Sequence, residues 1–172
     1  MKVIFLDIGG VLNSVHYCRS CNNNQDAFVN IKLVRNLKKI INKTGAKVVL
    51  TETYKGVINK SKGYYLKKAF KEYDIEIYDH TLRTGMEKCI DIQEWLNHNR
   101  NVTNIVILDD NSDMRHLTDY LVKTKSYTKV PFLWHFTEGL CNKKVKEVIH
   151  ILEKPFINKM ANQVTNNIRK LF

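Results

Sequence analysis

The sequence predicts an α/β domain built on a mostly parallel sheet with helices on both faces. Two observations carry this. Short apolar runs of strand length alternate with longer segments whose apolar residues recur at helical spacing, the pattern of a parallel sheet covered on both sides. Two of the runs, Val3-Ile4-Phe5-Leu6 and Val106-Ile107-Leu108, end in carboxylates, Asp7 and Asp109-Asp110. Parallel strands carrying acids at the same end bring them to the edge where open α/β sheets place their chemistry.

Residues 2–7 read as the first buried strand, and 13–28, polar and centred on Asn22-Asn23-Asn24, as a loop. Leu33, Val34, Leu37, Ile40 and Ile41 keep helical spacing, with Gly45 as the C-cap. Lys47 to Leu50 is a second buried strand. A helix over about 57–72 follows, with Val57, Tyr64, Tyr65, Ala69 and Phe70 on its apolar face. The alternation from Asp74 to Tyr78 predicts a third strand. Met86 to Asn99 is a helix with Ile92, Trp95 and Leu96 inward, and Ile105 to Leu108 the fourth strand. A short helical stretch holds Leu117, Tyr120 and Leu121, and Phe132 to Phe136 reads as a further strand. Residues 140–153 form an amphipathic helix through Val145, Val148, Ile149 and Leu152 that Pro155 breaks. The tail 155–172 keeps Ile157, Met160, Val164, Ile168 and Leu171 on one helical stripe. The expected organisation is one domain over 1–154 and a helical tail over 155–172.

The chain has 172 residues, is 44% hydrophobic and contains two prolines, which fits one folded domain and excludes a disordered chain. No apolar stretch approaches the roughly 18 residues of a membrane span. The first apolar run is too short for a signal peptide, so a soluble, cytoplasmic protein is expected. Cys18, Cys21, Cys89 and Cys141 read as reduced thiols, because Cys18-Arg-Ser-Cys21 has no second pair to complete a zinc site. The net charge is +11, and from Lys123 onward ten Lys/Arg face three acids. Such a surface attracts polyanions, though it also serves plain solubility.

Four segments suit phosphoryl transfer: Asp7, then Thr51 with Glu52, then Lys88, then Asp109-Asp110. A carboxylate can attack phosphorus and form an acyl phosphate. Clustered carboxylates repel unless a cation joins them, and such oxygen ligands suit Mg²⁺. A threonine hydroxyl and nearby backbone N–H groups can hold phosphoryl oxygens, and a lysine can neutralise charge. Taken singly, each has a plainer explanation: a helix cap, a turn residue, a solvated cation. The order and spacing together are what point to a site.

With these motifs the chain resembles the haloacid dehalogenase (HAD) superfamily: Asp7-Ile8-Gly9-Gly10-Val11-Leu12 is similar to its first motif, Thr51 to the second, Lys88 to the third and Asp109-Asp110 to the fourth. The segments DIGGVLN, VVLTETYK, DIQEWL, VILDDNSDM and Glu138-Gly139-Leu140 resemble more narrowly the HAD domain of Swiss Army Knife RNA repair proteins. The resemblance implies a Rossmann-like HAD fold and a Mg²⁺-dependent phosphohydrolase. Asp7 would be nucleophile and metal ligand, the Gly9 carbonyl and Asp110 further ligands, and Asp109 and Asp113 their support. Thr51 and Lys88 would hold the phosphoryl group, and Gly10, Glu52 and Lys55 would contact the substrate.

One departure matters. Most HAD phosphatases carry a second aspartate two residues beyond the nucleophile, where this chain has Gly9. General acid–base help is typically worth about 10²–10⁴-fold. Three readings stay open: an active enzyme using water or another group (Glu52 and His16 are candidates), an enzyme restricted to good leaving groups, or a catalytically weak module that binds phosphate or nucleic acid. No segment is long enough for a large cap domain, so the site is expected to be open. It could then admit an RNA or DNA end, a nucleotide or a small metabolite. His16, Tyr17 and Arg19 could stack on a base or touch phosphate.

Overall fold

The computed structural model describes residues 1–21, 29–51, 61–82, 87–110, 113–154 and 156. Glu52, Lys55, the start of the helix expected from 57 and the tail beyond Phe156 lie outside them. The elements in chain order are β1 (Lys2–Leu6), α1 (Val15–Ser20), α2 (Ile31–Thr44), β2 (Lys47–Leu50), α3 (Ser61–Glu72), β3 (Ile77–His80), α4 (Lys88–His98), β4 (Asn104–Asp109), a 3₁₀ turn (Arg115–Tyr120), β5 (Leu121–Lys123), a second 3₁₀ turn (Pro131–Leu133), α5 (Trp134–Thr137) and α6 (Asn142–Leu152).

The five strands form one wholly parallel sheet in the order β3-β2-β1-β4-β5. The sheet is Rossmann-like, with helices on both faces. Strand alternation divides the core in two. Ile4, Leu6, Val48, Leu50, Val106 and Leu108 pack on the side of α2, α3 and α6. Val3, Phe5, Val49, Ile105 and Ile107 pack on the side of α4 and the first 3₁₀ turn. There Phe5 meets the edge of Trp95 at 5.3 Å between ring centres. The chain builds outward from β1 through β2 to β3, then returns to lay β4 on the other side of β1. That reversal opens a crevice at the C-terminal ends of β1 and β4.

Several expectations are corrected in detail. Residues 15–20, read as loop, form α1. Ser14 caps it, accepting from the Tyr17 N–H at 3.4 Å, but none of its residues is buried, so it shows no apolar period to read. Phe132 to Phe136 is not a strand. Pro131 opens a 3₁₀ turn that runs into α5, and Phe132, Leu133 and Phe136 stay exposed rather than filling a core. β3 begins at Ile77, after a turn in which Asp74 takes a left-handed φ of 49°. β5 was not foreseen: three residues are too few to show alternation. In α3 the inward residues are Leu66, Ala69 and Phe70, while Tyr64 is exposed. Gly45 does end α2, at φ 66°. α6 stops at Leu152, ahead of Pro155, and packs on α2 and β4. No helix among the described residues is long and apolar enough to cross a membrane.

Candidate active site

Period-two geometry places the acids. Leu6 and Leu108 are register partners pointing toward α2 and α6, so the next residue on each strand turns to the α4 side. Those residues are Asp7 and Asp109. By the same step Thr51 follows Leu50. The ladder continues one residue beyond the strands: the Asp7 N–H donates to Leu108 O at 3.0 Å, that of Thr51 to Leu6 O at 3.1 Å and that of Thr124 to Asp109 O at 2.9 Å. Strand ends held in this way keep the carboxylates where the crevice opens.

α4 starts at this face, and Lys88 is its first residue. A cation at a helix N-terminus is disfavoured by the helix dipole. Here two acids compensate, since the Lys88 ammonium is paired with Asp109 and lies 3.4 Å from Asp7 Oδ1. Asp109 is almost wholly buried and Asp7 nearly so. The preceding residue, Glu87, is engaged by Arg115. The neighbouring Cys89 is no competing nucleophile: burial, reinforced by a hydrogen bond to Glu87, pushes its thiol pKa up.

Asp110 completes the cluster. Oxygens of Asp7, Asp109 and Asp110 lie within 4.8 Å of one another, the one such ligand group among the described residues. Three carboxylates against one ammonium leave a local negative excess, and an all-oxygen set matches a hard cation such as Mg²⁺. The residues therefore fit that ion. Among the described residues Cys18 and Cys21 form neither a disulfide nor a metal-ligand group with His16. Asp113 is not in the ligand group either; its Oδ1 accepts from the Arg115 N–H at 2.9 Å.

The two glycines differ in kind. A Cβ on Gly10 would fall 2.2 Å from Asp110 Oδ2 and 2.6 Å from Asp110 Cβ, and Gly10 has φ +66°. Its N–H donates to Asn13 Oδ1 at 2.9 Å, and its carbonyl accepts from Thr124 Oγ1 at 2.8 Å. Gly10 thus shapes the wall against which Asp110 rests. Gly10→Ala is expected to cost about 2 kcal/mol or more, from a left-handed alanine plus the contact. It should also weaken Mg²⁺ binding by displacing Asp110. Thermal unfolding and a calorimetric Mg²⁺ titration check both. Gly9 is exposed, and among the described residues its Cβ would meet only Asp7 Oδ2, at an ordinary 3.6 Å.

The structure thus brings Asp7, Thr51, Lys88, Asp109, Asp110 and Gly10 to one crevice. Thr51 Oγ1 donates to Leu6 O at 3.3 Å, a long bond. His16 is otherwise engaged: its Nδ1 lies 2.7 Å from Glu138 Oε1, and its ring stacks on Tyr127 at 4.9 Å. Glu138 also accepts from the Thr128 N–H at 2.6 Å. Next to it the Leu140 N–H donates to Val11 O at 2.8 Å, and a Cβ on Gly139 would strike Leu33 and Val11. The Glu138-Gly139-Leu140 motif is therefore a weld behind the loop that follows Asp7. Asn13, the last residue of DIGGVLN, and Thr124, which together tie Gly10, were given no role from the sequence; they are ordinary polar residues until the loops meet. Beside Gly10 a cleft of about 280 Å³ opens, lined also by Asn13, Cys18, Arg19 and Ser126.

Comparison with known proteins bears on the family. A family model described as the HAD domain in Swiss Army Knife RNA repair proteins matches residues 3–129. No match to a curated protein or to a solved structure was found.

Proposed function

The chain belongs to the family of HAD domains found in Swiss Army Knife RNA repair proteins, and from that premise we propose that it is a Mg²⁺-dependent phosphohydrolase working through an aspartyl phosphate, with nucleic-acid or nucleotide terminal phosphates as substrates. The observation that carries the reading is the convergence of Asp7, Asp109 and Asp110 around Lys88 at the sheet's switch point.

In this reading Asp7 attacks phosphorus, and the bond from phosphorus to the leaving oxygen breaks. Water then attacks the same phosphorus, the bond to Asp7 breaks, and inorganic phosphate leaves. Lys88 offsets charge on Asp7 and on the transferred group, while Asp109 holds Lys88 in place. The Thr51 hydroxyl turns from Leu6 O to a phosphoryl oxygen. Asp7, Asp110 and the Gly9 carbonyl, supported by Asp109, would hold Mg²⁺, which when bound lessens repulsion between nucleophile and phosphate. Gly10 lines the cleft for the substrate, with Glu52 and Lys55 assigned to it by family position alone.

Gly9 offers the outgoing oxygen no carboxylic acid at that position, His16 is taken up by Glu138, and Glu52 lies outside the described residues. Good leaving groups should therefore be preferred. Wild-type protein is expected to hydrolyse an aryl phosphate with Mg²⁺ and not with EDTA, and to turn over alkyl esters poorly. Because a side chain at position 9 has room, Gly9→Asp should raise kcat/KM for alkyl phosphates on the order of 10²-fold and change the aryl ester little. No turnover by the wild type, together with no capture of beryllium fluoride, would sink the enzymatic reading. If turnover appeared only in Gly9→Asp, a phosphate-binding module would be the better description. A panel of 5′- and 3′-phosphorylated oligonucleotides, mononucleotides and sugar phosphates separates nucleic-acid ends from small metabolites.

A further inference from the structure

The segment that follows β5 exposes an unusual amount of aromatic surface. Phe132 is 76% exposed, Phe136 70% and Tyr127 48%, with Leu133 and Val130 beside them. Large rings left in water on a small domain mark an interaction surface when they cluster. The backbone beneath them is anchored: the Val15 N–H donates to Ser126 O at 2.8 Å, the Gly139 N–H to Lys125 O at 2.9 Å, and the Thr128 N–H to Glu138. The charge is one-sided. From Lys123 to Thr137 the chain carries three lysines and no acid. Lys32 of α2 adds its ammonium 5.6 Å from the Phe136 ring centre.

This face is joined to the acidic crevice. Ser126, one residue before Tyr127, lines the same cleft as Gly10 and the exposed Arg19. Gly10 is in turn the residue against which Asp110 rests. The cleft thus reaches from Gly10 past Arg19 to Ser126, and the His16 ring, 4.9 Å from Tyr127 and 6.4 Å from Trp134, ties Tyr127 to the segment that carries the exposed rings. Aromatic faces interleaved with cations, without acids, suit unpaired bases on a phosphate backbone. A second copy of this chain, itself +11, would bring like charge against this face.

We propose that this face is the platform for a single-stranded nucleic acid whose terminal phosphate enters the crevice, with the backbone passing Arg19 and bases stacking on Tyr127, Phe132 and Phe136. The inference rests on the phosphohydrolase reading of the site and adds the surface that selects a polynucleotide over a mononucleotide.

The test pairs Phe132→Ala/Phe136→Ala with Lys125→Glu/Lys129→Glu, in the full chain. Binding of a fluorescent single-stranded RNA 12-mer is followed by anisotropy at low and at moderate salt. Each double variant should weaken binding about tenfold or more. The charge-reversed protein should also show a shallower salt dependence. KM for a terminally phosphorylated oligonucleotide should rise in parallel, while kcat/KM for an aryl phosphate stays at the wild-type value. Unchanged RNA affinity in both variants would overturn the proposal. So would a wild-type dimer, seen by sedimentation without RNA and lost in the ring variant, or loss of binding to phosphatidylserine vesicles with RNA binding intact. Absence of aryl phosphate turnover in the wild type would strike the phosphohydrolase reading instead, and RNA binding would still report on the platform.

Discussion

Asp7→Asn is expected to lower turnover of an aryl phosphate by ~10⁴-fold or more, with the fold intact. The amide is nearly isosteric but cannot form the acyl phosphate, so the loss should fall on kcat. Asp7 shares its surroundings with Asp109 and Asp110, and one ammonium faces all three. Removing one negative charge from such a cluster relieves repulsion. The variant should therefore unfold at the wild-type temperature or slightly above it, which separates lost chemistry from lost structure. Acid quench of the wild type during turnover of a ³²P-labelled substrate should trap label on the protein, and Asp7→Asn should trap none. Retained turnover in Asp7→Asn would remove the nucleophile assignment.

The second large effect is on stability. Lys88→Met should cost about 3–5 kcal/mol, the usual result when one partner of a buried charge pair is deleted and the other stays. Asp109 is 1% exposed, so its carboxylate would be left with little access to bulk solvent. For a domain of this size the cost corresponds to a fall in Tm on the order of 10 °C. Mg²⁺ should recover part of it, because an ion that binds only the folded state at ~100 times its Kd adds about 2.7 kcal/mol. The Tm gain from Mg²⁺ should be larger in Lys88→Met than in wild type, where the ammonium already offsets part of the charge. Equal gains would mean that lysine and cation do not share these carboxylates. Turnover should be lost as well, with or without the ion.

What could be read from residues alone followed physical periodicity. Buried parallel strands announce themselves as runs such as Val3 to Leu6 and Ile105 to Leu108, and α2 and α4 by regular apolar spacing. The elements that escaped were those with no buried face or too few residues: α1, β5 and the turn-and-helix from Pro131 to Thr137. Phe132 and Phe136 misled because apolar content signals burial only on average, and these two rings stay in water.

The same division holds for the site. The candidate residues and their order, Asp7, Thr51, Lys88, Asp109 and Asp110, were legible in the sequence by itself, because each stands at or just after the end of an apolar run or near a helix start. Only the tertiary structure decided who touches whom. It committed His16 to Glu138 rather than to the crevice, seated Asp110 against Gly10, and left position 9 with room for a side chain. It also joined the segment after β5 to the cleft beside Arg19. Periodicity is a local property of the chain, whereas these contacts join residues up to 122 positions apart and exist only once β4 has returned to lie beside β1.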